Sequence, residues 1–188
     1  MTSEKKKNLL NGARVYLAGP LEFNTDIKAT DWRGYVKNQL KPLGVKCLDP
    51  TKEMFENDTS ENNSIRGDLR RRVKDGKWDE VAEYFSYVIY RDARACDVSD
   101  MIIINWQDFT TPTYGTLHEA VLATQQKKVI FNICQDITNV PFWLMGLFRK
   151  KNRFYESIEG CISMIKDIDS GKVELSSKKW KLLKEELR

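Results

Sequence analysis

Short continuous runs of hydrophobic residues interrupt this otherwise polar chain at four places. The runs are ARVYLAGP (13–20), VKCLDP (45–50), MIIIN (101–105) and KKVIFNI (127–133). A short apolar run bounded by turn residues is typical of a buried strand. Because near-continuous apolar strands occur mainly in parallel sheets that are covered on both faces, the four runs predict a parallel sheet.

Segments with apolar residues at helical spacing follow or separate these runs. They are TDWRGYVKNQLKPLG (30–44), DEVAEYFSYVIYRDARACDVSD (79–100), TYGTLHEAVLATQQ (113–126) and ESIEGCISMIKDI (156–168). In the first of them, Thr30 is the predicted N-cap and Gly44 the predicted stop. The alternation of strands and helices predicts an α/β fold, with a central parallel sheet and helices on both faces.

The length of the chain favours a single domain over residues 1–188, since a chain of 188 residues typically supports one core. Residues 51–80 are polar and charged, and they are predicted to form an insertion of loop and surface helix. The segment ELSSKKWKLLKEELR predicts a C-terminal amphipathic helix at about 174–187. That helix would dock on the domain or on a second subunit.

The composition narrows the class of protein. Hydrophobic residues make up 41% of the chain, and no apolar run approaches the ~20 residues of a membrane span. The basic N-terminal segment has too few apolar residues for a signal peptide. We therefore expect a soluble, cytoplasmic protein with no membrane partner. The 4 cysteines form no CxxC pair, which argues against a zinc site or a thioredoxin-like redox motif.

The distribution of charge argues against a nucleic-acid polymer as partner. The net charge is only +4, and the basic clusters lie at 5–7, 70–74 and 149–153. The chemically rich segment 95–126 contains acidic residues and no lysine or arginine. A nucleic-acid binder gathers basic side chains on its working surface. Basic patches at the rim of a site could still bind a single phosphate.

Glu119 is the first candidate for chemistry. Three loops at predicted carboxyl ends of strands converge: Gly19-Pro20, Asp49-Pro50 and the turn that precedes Glu119. Glu119 lies about two turns into its helix, where the helix dipole favours an ionised carboxylate. Such a carboxylate in a crevice acts as a nucleophile or as an electrostatic anchor. The alternative is an ordinary glutamate on the surface of the first turns.

Asp92 is the second candidate, because it lies on the apolar stripe of its helix. That stripe consists of Val81, Phe85, Val88, Ile89 and Cys96. A buried carboxylate requires a partner. Asp92 either forms a salt bridge with Arg91 or Arg94, or faces the cleft opposite Glu119 and handles protons. Two carboxyls in unlike environments are the usual equipment for breaking a glycosidic bond.

Four segments together resemble the nucleoside 2-deoxyribosyltransferase family: VYLAGPLEF, RDARACDVSDMIIINW, YGTLHEA and KKVIFNI. The similarity extends from about residue 14 to residue 145. It implies a flavodoxin-like three-layer sandwich and a retaining mechanism. Glu119 would attack C1′ of the sugar and form a glycosyl-enzyme, Tyr16 would orient Glu119, and Asp92 would protonate or hold the leaving base. No metal or organic cofactor is implied, and the expected assembly is a homo-oligomer.

Two positions depart from the family pattern. Where many members carry an aspartate that grips the sugar, this chain has Thr113, and Trp143 in the segment PFWLM replaces an asparagine. Both changes fall near the expected 5′ end of the sugar, and the loss of the aspartate suits a 5′-phosphate. The alternatives are that Thr113 is a helix N-cap and that Trp143 is a core or interface aromatic.

Several further residues are candidates for substrate binding. Gly19, Pro20, Asp49 and Gly115 belong to the strand-end loops and the helix start, and Trp106 could stack on a nucleobase or lie in the core. His118 is expected at the edge of the site, because neighbouring helical positions point about 100° apart. The basic run 66–77 could cover a phosphate, but it is expected to be a solvated face.

The resulting hypothesis is an enzyme that cleaves the N-glycosidic bond of a nucleoside, a deoxynucleoside or a 5′-monophosphate. Its partners would be the small nucleoside or nucleotide and a free nucleobase. Transfer to another base is the first alternative and hydrolysis of nucleoside 5′-monophosphates the second. A third alternative, from another class, is a non-catalytic nucleotide-binding or sensing module on the same fold.

Overall fold

The structure, a computed structural model, describes residues 8–21, 26–55, 63–107, 109 and 113–173. The strands are β1 (Arg14–Ala18), β2 (Lys46–Leu48), β3 (Met101–Gln107), β4 (Val129–Cys134) and β5 (Phe154–Tyr155). The helices are α1 (Asp26–Leu40), α2 (Asn63–Lys74), α3 (Trp78–Asp97), α4 (Tyr114–Gln125), α5 (Phe142–Phe148) and α6 (Ile158–Asp169). The four predicted strands and the four predicted helices are all present.

The five strands form one sheet in the order β2-β1-β3-β4-β5, and every neighbouring pair is parallel. This is the strand order of flavodoxin-like folds. Strand β2 lies on one side of β1 and strands β3 to β5 lie on the other, so the strand order reverses between β1 and β3. The predicted α/β class and flavodoxin-like sandwich are therefore confirmed. Ligands of such folds bind beyond the carboxyl ends of the strands at that reversal.

Two apolar clusters cover the two faces of the sheet, as strand alternation requires. Val15 and Ile103 point into the cluster that contains buried residues of α1 and α6. Tyr16 and Ile102 point the other way, into the cluster that contains residues of α3, α4 and α5. The register Tyr16↔Ile102 places both on the same face. Tyr16 thus faces the helix that carries Glu119.

The structure corrects the predicted limits of α1. The helix begins at Asp26 rather than after Thr30, so Thr30 is not its N-cap. It ends at Leu40 and continues as a 3₁₀ turn, Lys41–Leu43. Gly44 then adopts φ 72°, a left-handed conformation that glycine tolerates best, and it ends the element as predicted.

Two elements were not predicted, α5 and β5. Helix α5 has 7 residues, and strand β5 has 2 residues that pair with β4. The predicted C-terminal helix at about 174–187 lies outside the described residues. Among the described residues, no helix is long and apolar enough to cross a membrane.

The polar segment 51–80 consists in part of α2, and its residues 70–80 are exposed as expected of a solvated face. Thr51 and Leu69 are buried, each at 6% exposed. Helix α2 packs on α3, so the segment reaches the same side of the sheet as α4. Cys96, Cys134 and Cys161 are buried and Cys47 is half-buried, and all four are free thiols.

Candidate active site

A cleft of about 400 Å³ opens where β1 and β3 end, at the reversal of the sheet. Its lining comes from the β1 loop, from α2 and α3, and from the start of α4. The lining residues are Gly19, Pro20, Leu21, Arg66, Phe85, Val88, Ile89, Asp92, Thr113, Tyr114, Gly115, Thr116, His118 and Glu119. Six of the sequence-predicted site residues are therefore brought together: Gly19, Pro20, Asp92, Thr113, Gly115 and Glu119.

Glu119 is held by Tyr16 from behind the cleft. The Tyr16 hydroxyl donates a hydrogen bond of 2.6 Å to Oε1 of Glu119. Tyr16 is fully buried and Glu119 is 6% exposed. Burial raises the pKa of Tyr16 well above its ordinary value, and the nearby charges of Glu119 and Asp92 raise it further. Tyr16 therefore stays a neutral donor that fixes one oxygen of the carboxylate.

Asp92 forms the predicted salt bridge with Arg91 and also lines the cleft that contains Glu119. Its Oδ1 accepts hydrogen bonds from Nε and Nη2 of Arg91, at 3.0 Å and 2.8 Å. The Arg91 side chain is 1% exposed, whereas that of Asp92 is 18% exposed and lines the cleft. The ion pair holds the Asp92 side chain in place, and Asp92 lines the same cleft as Glu119.

The start of α4 forms the cleft wall beside Glu119. Thr113 occupies the N-cap position, where its carbonyl oxygen accepts from the Leu117 amide at 2.8 Å, but its side chain makes no capping hydrogen bond within the described residues. A side chain at Gly115 would meet no described atom within 4 Å of its Cβ, so the space beside it is open. His118 is exposed at the edge of the cleft, as expected.

Gly19 lies in a turn that leaves little space for a side chain. A Cβ at this position would come within 3.0 Å of the Asn105 carbonyl oxygen and 3.2 Å of the Trp32 ring. The fully buried Arg33 donates to the carbonyl oxygens of Leu17, at 3.1 Å, and Gly19, at 3.0 Å. We infer that Arg33 fixes the β1 loop beneath the cleft.

Arg33 was missed, although its position gave a signal. It precedes Val36 by three residues and Leu40 by seven, so it lies on the apolar stripe of α1. Like Asp92, it is therefore a charged residue on an apolar stripe, and such a residue requires partners.

Asp49 is not among the residues that line the cleft. Its carboxylate accepts from Lys37 Nζ at 2.6 Å and from the Thr51 amide and hydroxyl at 3.0 Å and 2.7 Å. Burial acts to raise the pKa of Asp49, but the hydrogen bonds from Lys37 and Thr51 outweigh it, and the net pKa is lowered. In this structure Asp49 ties the end of β2 to α1.

Trp106 and Trp143 line a second, smaller pocket of about 260 Å³. Trp106 is 3% exposed, its Nε1 donates to Asn132 at 2.9 Å, and its ring stacks on Phe109. Trp143 is 59% exposed on α5. Thr113 lines both pockets, so the two tryptophans lie beside the Glu119 cleft but not in it.

Arg66 belongs to the basic run 66–77 that was expected to be a solvated face, but it is half-buried and lines the cleft. Its guanidinium carbon lies 5.9 Å from the centre of the Phe85 ring, and both residues line the cleft. No group of three or more histidine, cysteine, aspartate or glutamate side chains that could hold a metal occurs in the part of the chain that the structure describes.

Comparison with known proteins adds independent findings. The family model for nucleoside 2-deoxyribosyltransferase matches residues 15–177. A search of curated proteins gave no match. Among solved structures, the chain is similar to a CMP N-glycosidase from Clostridium botulinum, with 14% identity, a TM-score of 0.46 and coverage of 81% of this chain and 96% of that chain. It is also similar to a 2-deoxyribosyltransferase from Leishmania mexicana, with 18% identity, a TM-score of 0.48 and coverage of 82% and 97%.

Proposed function

Because the chain belongs to the nucleoside 2-deoxyribosyltransferase family and is an enzyme of that kind, we propose that it transfers the sugar of a nucleoside to another base. The substrate is a nucleoside, a deoxynucleoside or its 5′-monophosphate, and the reaction passes through a glycosyl-enzyme on Glu119. The observation that carries this proposal is the buried hydrogen bond of 2.6 Å between Tyr16 and Glu119 at the edge of a cleft that Asp92 also lines.

In the first half of the reaction, a carboxylate oxygen of Glu119 attacks C1′ of the sugar. The C1′–N bond breaks, and its electron pair leaves on the nitrogen of the base. Tyr16 holds the other carboxylate oxygen, so the attacking oxygen keeps one orientation. Asp92 gives a proton to the departing base or holds it by accepting a hydrogen bond. The product is an ester between Glu119 and the sugar.

In the second half, a ring nitrogen of another base attacks C1′, and the C1′–O bond to Glu119 breaks. The Glu119 carboxylate is regenerated, and the incoming base loses its proton to Asp92 or to solvent. Two displacements at C1′ give net retention of configuration, as in glycosidases with a nucleophilic carboxylate.

Hydrolysis of a nucleoside 5′-monophosphate is the second candidate function, with water in place of the incoming base. It is favoured by Thr113, which lines the cleft where many family members have an aspartate. A threonine hydroxyl donates a hydrogen bond to a phosphate, whereas a carboxylate repels one.

We also propose that the chain acts as a single domain in a homo-oligomer. Phe142 and Trp143, adjacent on α5, are 89% and 59% exposed. Burying two large aromatic side chains against a second copy would stabilise the assembly by removing apolar surface from water.

A chromatographic assay of base release tests the proposal. Ribonucleosides, deoxyribonucleosides and their 5′-monophosphates are incubated with the enzyme, with and without a second free base. Formation of a new nucleoside is expected, and it should fall at least about a thousandfold in Glu119→Ala, as when other catalytic nucleophiles are removed. Glu83→Ala, an exposed glutamate of α3, is the control.

The other outcomes divide the alternatives. Release only from monophosphates, unaffected by added base, would replace the transferase with the hydrolase. Ligand-induced thermal stabilisation without Glu119-dependent release from any compound would leave only the binding module.

A further inference from the structure

Strand β1 extends further toward the cleft than its neighbour β2. In the register of the two strands, Tyr16 is opposite Leu48, the last residue of β2. Strand β1 continues to Ala18 and leads into the β1 loop, defined as residues 19–21, all three of which line the cleft. Beyond Leu48, β2 therefore has no residue that can pair with Leu17 or with the loop.

The side chain of Arg33 supplies hydrogen bonds at this position. It comes from α1, which packs on β2. Its Nε donates to the carbonyl oxygen of Leu17 at 3.1 Å, and its Nη2 donates to that of Gly19 at 3.0 Å. The first acceptor belongs to β1 and the second to the β1 loop. One guanidinium therefore joins the strand to the loop, much as a neighbouring strand would.

Asp49 follows Leu48 directly, and its carboxylate lies next to the guanidinium. The distance from Arg33 Nε to Asp49 Oδ1 is 3.8 Å, and the two side chains are 0% and 5% exposed. A buried cation requires such a counter-ion. Asp49 is itself held by hydrogen bonds from Lys37 and Thr51. The pair thus ties the β1 loop to α1 and to the end of β2.

The hydrogen bond to Gly19 also determines which groups the loop presents to the cleft. Because Arg33 is fully buried and is not among the lining residues, the carbonyl oxygen that it binds is directed into the protein. The same peptide unit has no N–H, since its nitrogen belongs to Pro20. If this carbonyl turned toward the cleft, it would bring a negative dipole to the side that Glu119 and Asp92 already line.

We propose that Arg33 and Asp49 are positioning residues of the reaction: they hold the β1 loop in the place and orientation that turnover requires. The inference rests on the proposed function, because it concerns the alignment of a substrate with Glu119. A misplacement of about 1 Å can lower a rate about a hundredfold. Asp49, which does not line the cleft, would then act on the substrate only through Arg33 and the loop.

The first test is steady-state kinetics of Arg33→Met and Arg33→Lys, well below the unfolding temperature of each variant. Arg33→Met removes the charge and both hydrogen bonds, so kcat should fall about a hundredfold while KM changes less than about threefold. Arg33→Lys keeps the charge beside Asp49 but not the planar fork, so it should recover kcat only in part. If Arg33→Met does not fold, Arg33→Lys and Asp49→Asn decide the question.

Asp169→Asn is the matched control for lost stability. Asp169 is 3% exposed, and its carboxylate accepts a hydrogen bond of 2.9 Å from the amide of Leu10, which precedes the start of β1. It is therefore a buried acid bound to backbone near the opposite end of the same strand. The variant should unfold at a lower temperature but keep kcat within about twofold of the wild type. If the Arg33 variants lose no more kcat than this control, the proposal is overturned.

Asp49→Asn tests the counter-ion. The amide removes the negative charge but keeps an oxygen that can accept from Thr51, so kcat should fall about three- to tenfold. In the Arg33→Met background the same change should have little further effect on kcat, because the two residues act as a pair. If the two losses multiply in the double variant, Asp49 does not act through Arg33 and its assignment is overturned.

Hydrogen exchange of the peptide that contains residues 17–21 examines the loop without turnover. Its amides should exchange at least about tenfold faster in Arg33→Lys than in the wild type, and Asp169→Asn should leave them unchanged. Equal exchange in all three proteins would show that Arg33 does not hold the loop.

The two proposals fail differently. If exchange of the loop depends on Arg33 but the wild type releases no base, the proposed reaction fails and the holding of the loop stands. If base release depends on Glu119 while Arg33→Lys and Asp49→Asn turn over at the wild-type rate, the reaction stands and the positioning inference fails.

Discussion

The two sides of the cleft are built in opposite ways. One side, here called the inner wall, consists of Thr116 and Glu119 with Tyr16 directly behind them, and all three residues are less than 7% exposed. The opposite side, here called the outer wall, comprises Arg66, Phe85, Val88 and Ile89 from α2 and α3, and it is more open, with Ile89 at 53% exposed. The inner wall is supported by a sheet and a buried hydrogen bond, whereas the outer wall is two packed helices. Rigid support suits bond breaking, and an open surface suits substrate entry.

This contrast separates the expected effects of mutations. Changes on the inner wall should lower kcat and should also alter stability, because the same contacts hold the core. Changes on the outer wall should alter KM while leaving the fold intact. The following predictions test that separation, in order of decreasing effect.

Asp92→Asn should produce the largest effect among them. The amide cannot give a proton to the departing base or balance the Arg91 charge, so kcat should fall by about a hundredfold or more, the usual contribution of general acid–base catalysis. The variant should also unfold at lower temperature, because the amide removes the negative charge of the ion pair with the buried Arg91. Steady-state kinetics and calorimetry measure the two effects. An unchanged kcat would remove Asp92 from the mechanism.

Tyr16→Phe should lower kcat by about ten- to a hundredfold, the usual value of a hydrogen bond to a charged group. KM should change little, because Tyr16 lies behind the carboxylate and not in the cleft. Wild-type activity should not be lost through ionisation of Tyr16 near pH 10, since the pKa of Tyr16 is raised. A larger effect on KM than on kcat would contradict a role in orienting Glu119.

Alkaline pH should destabilise the fold. Burial, and then the charges of Glu119 and Asp92, raise the pKa of Cys96, while burial raises that of Cys47 to about 12 and that of Cys134 to about 11. Above about pH 9 the unfolded chain loses these protons and the folded chain keeps them, so the free energy of unfolding must fall as pH rises.

Urea unfolding at pH 8 and pH 10.5 measures this effect. A decrease of at least about 1 kcal/mol is expected in the wild type, and a smaller decrease in Cys96→Ala. If the free energy of unfolding is independent of pH across this range, the thiols are not held protonated by the fold.

Ile89→Ala should have the smallest effect. Because Ile89 is half-exposed, the free energy of unfolding should change by less than about 0.5 kcal/mol. KM should rise a few-fold through the loss of an apolar side chain that lines the cleft, with kcat unchanged. Kinetics with one preferred nucleoside checks this, and a selective loss of kcat would show that the two walls are not separate in function.

Much of the fold was predictable, because its strands are short apolar runs and its main helices have regular apolar stripes. MIIIN and KKVIFNI are short apolar runs, which predict buried strands. The helical segment between them predicts that the two strands are parallel. The start of α1 was not predictable, since the residues that precede Trp32 show no apolar periodicity. Strand β5 was missed because its 2 residues become a strand only by pairing with β4.

The site was predictable where a residue broke a local rule. Asp92 was predicted as a site residue because it is a charged residue on an apolar stripe. The structure brings it together with Tyr16 and Glu119. Arg66 broke no rule, because an arginine in a basic run is an ordinary surface residue. Only the packing of α2 on α3 brings it to the cleft. Asp49 is the opposite case. It was predicted as a site residue because it follows a strand, but its carboxylate accepts hydrogen bonds from Lys37 and Thr51 and does not line the cleft.

The central claim is a covalent bond between the sugar and Glu119, and peptide mass spectrometry after rapid acid quenching tests it most directly. The enzyme is mixed with excess nucleoside, quenched within the first turnovers and digested. The peptide that contains Glu119 is expected to gain the mass of the glycosyl group. Glu119→Ala is expected to show no adduct and no base release. A glycosyl group on another residue, or base release by Glu119→Ala at the wild-type rate, would contradict it.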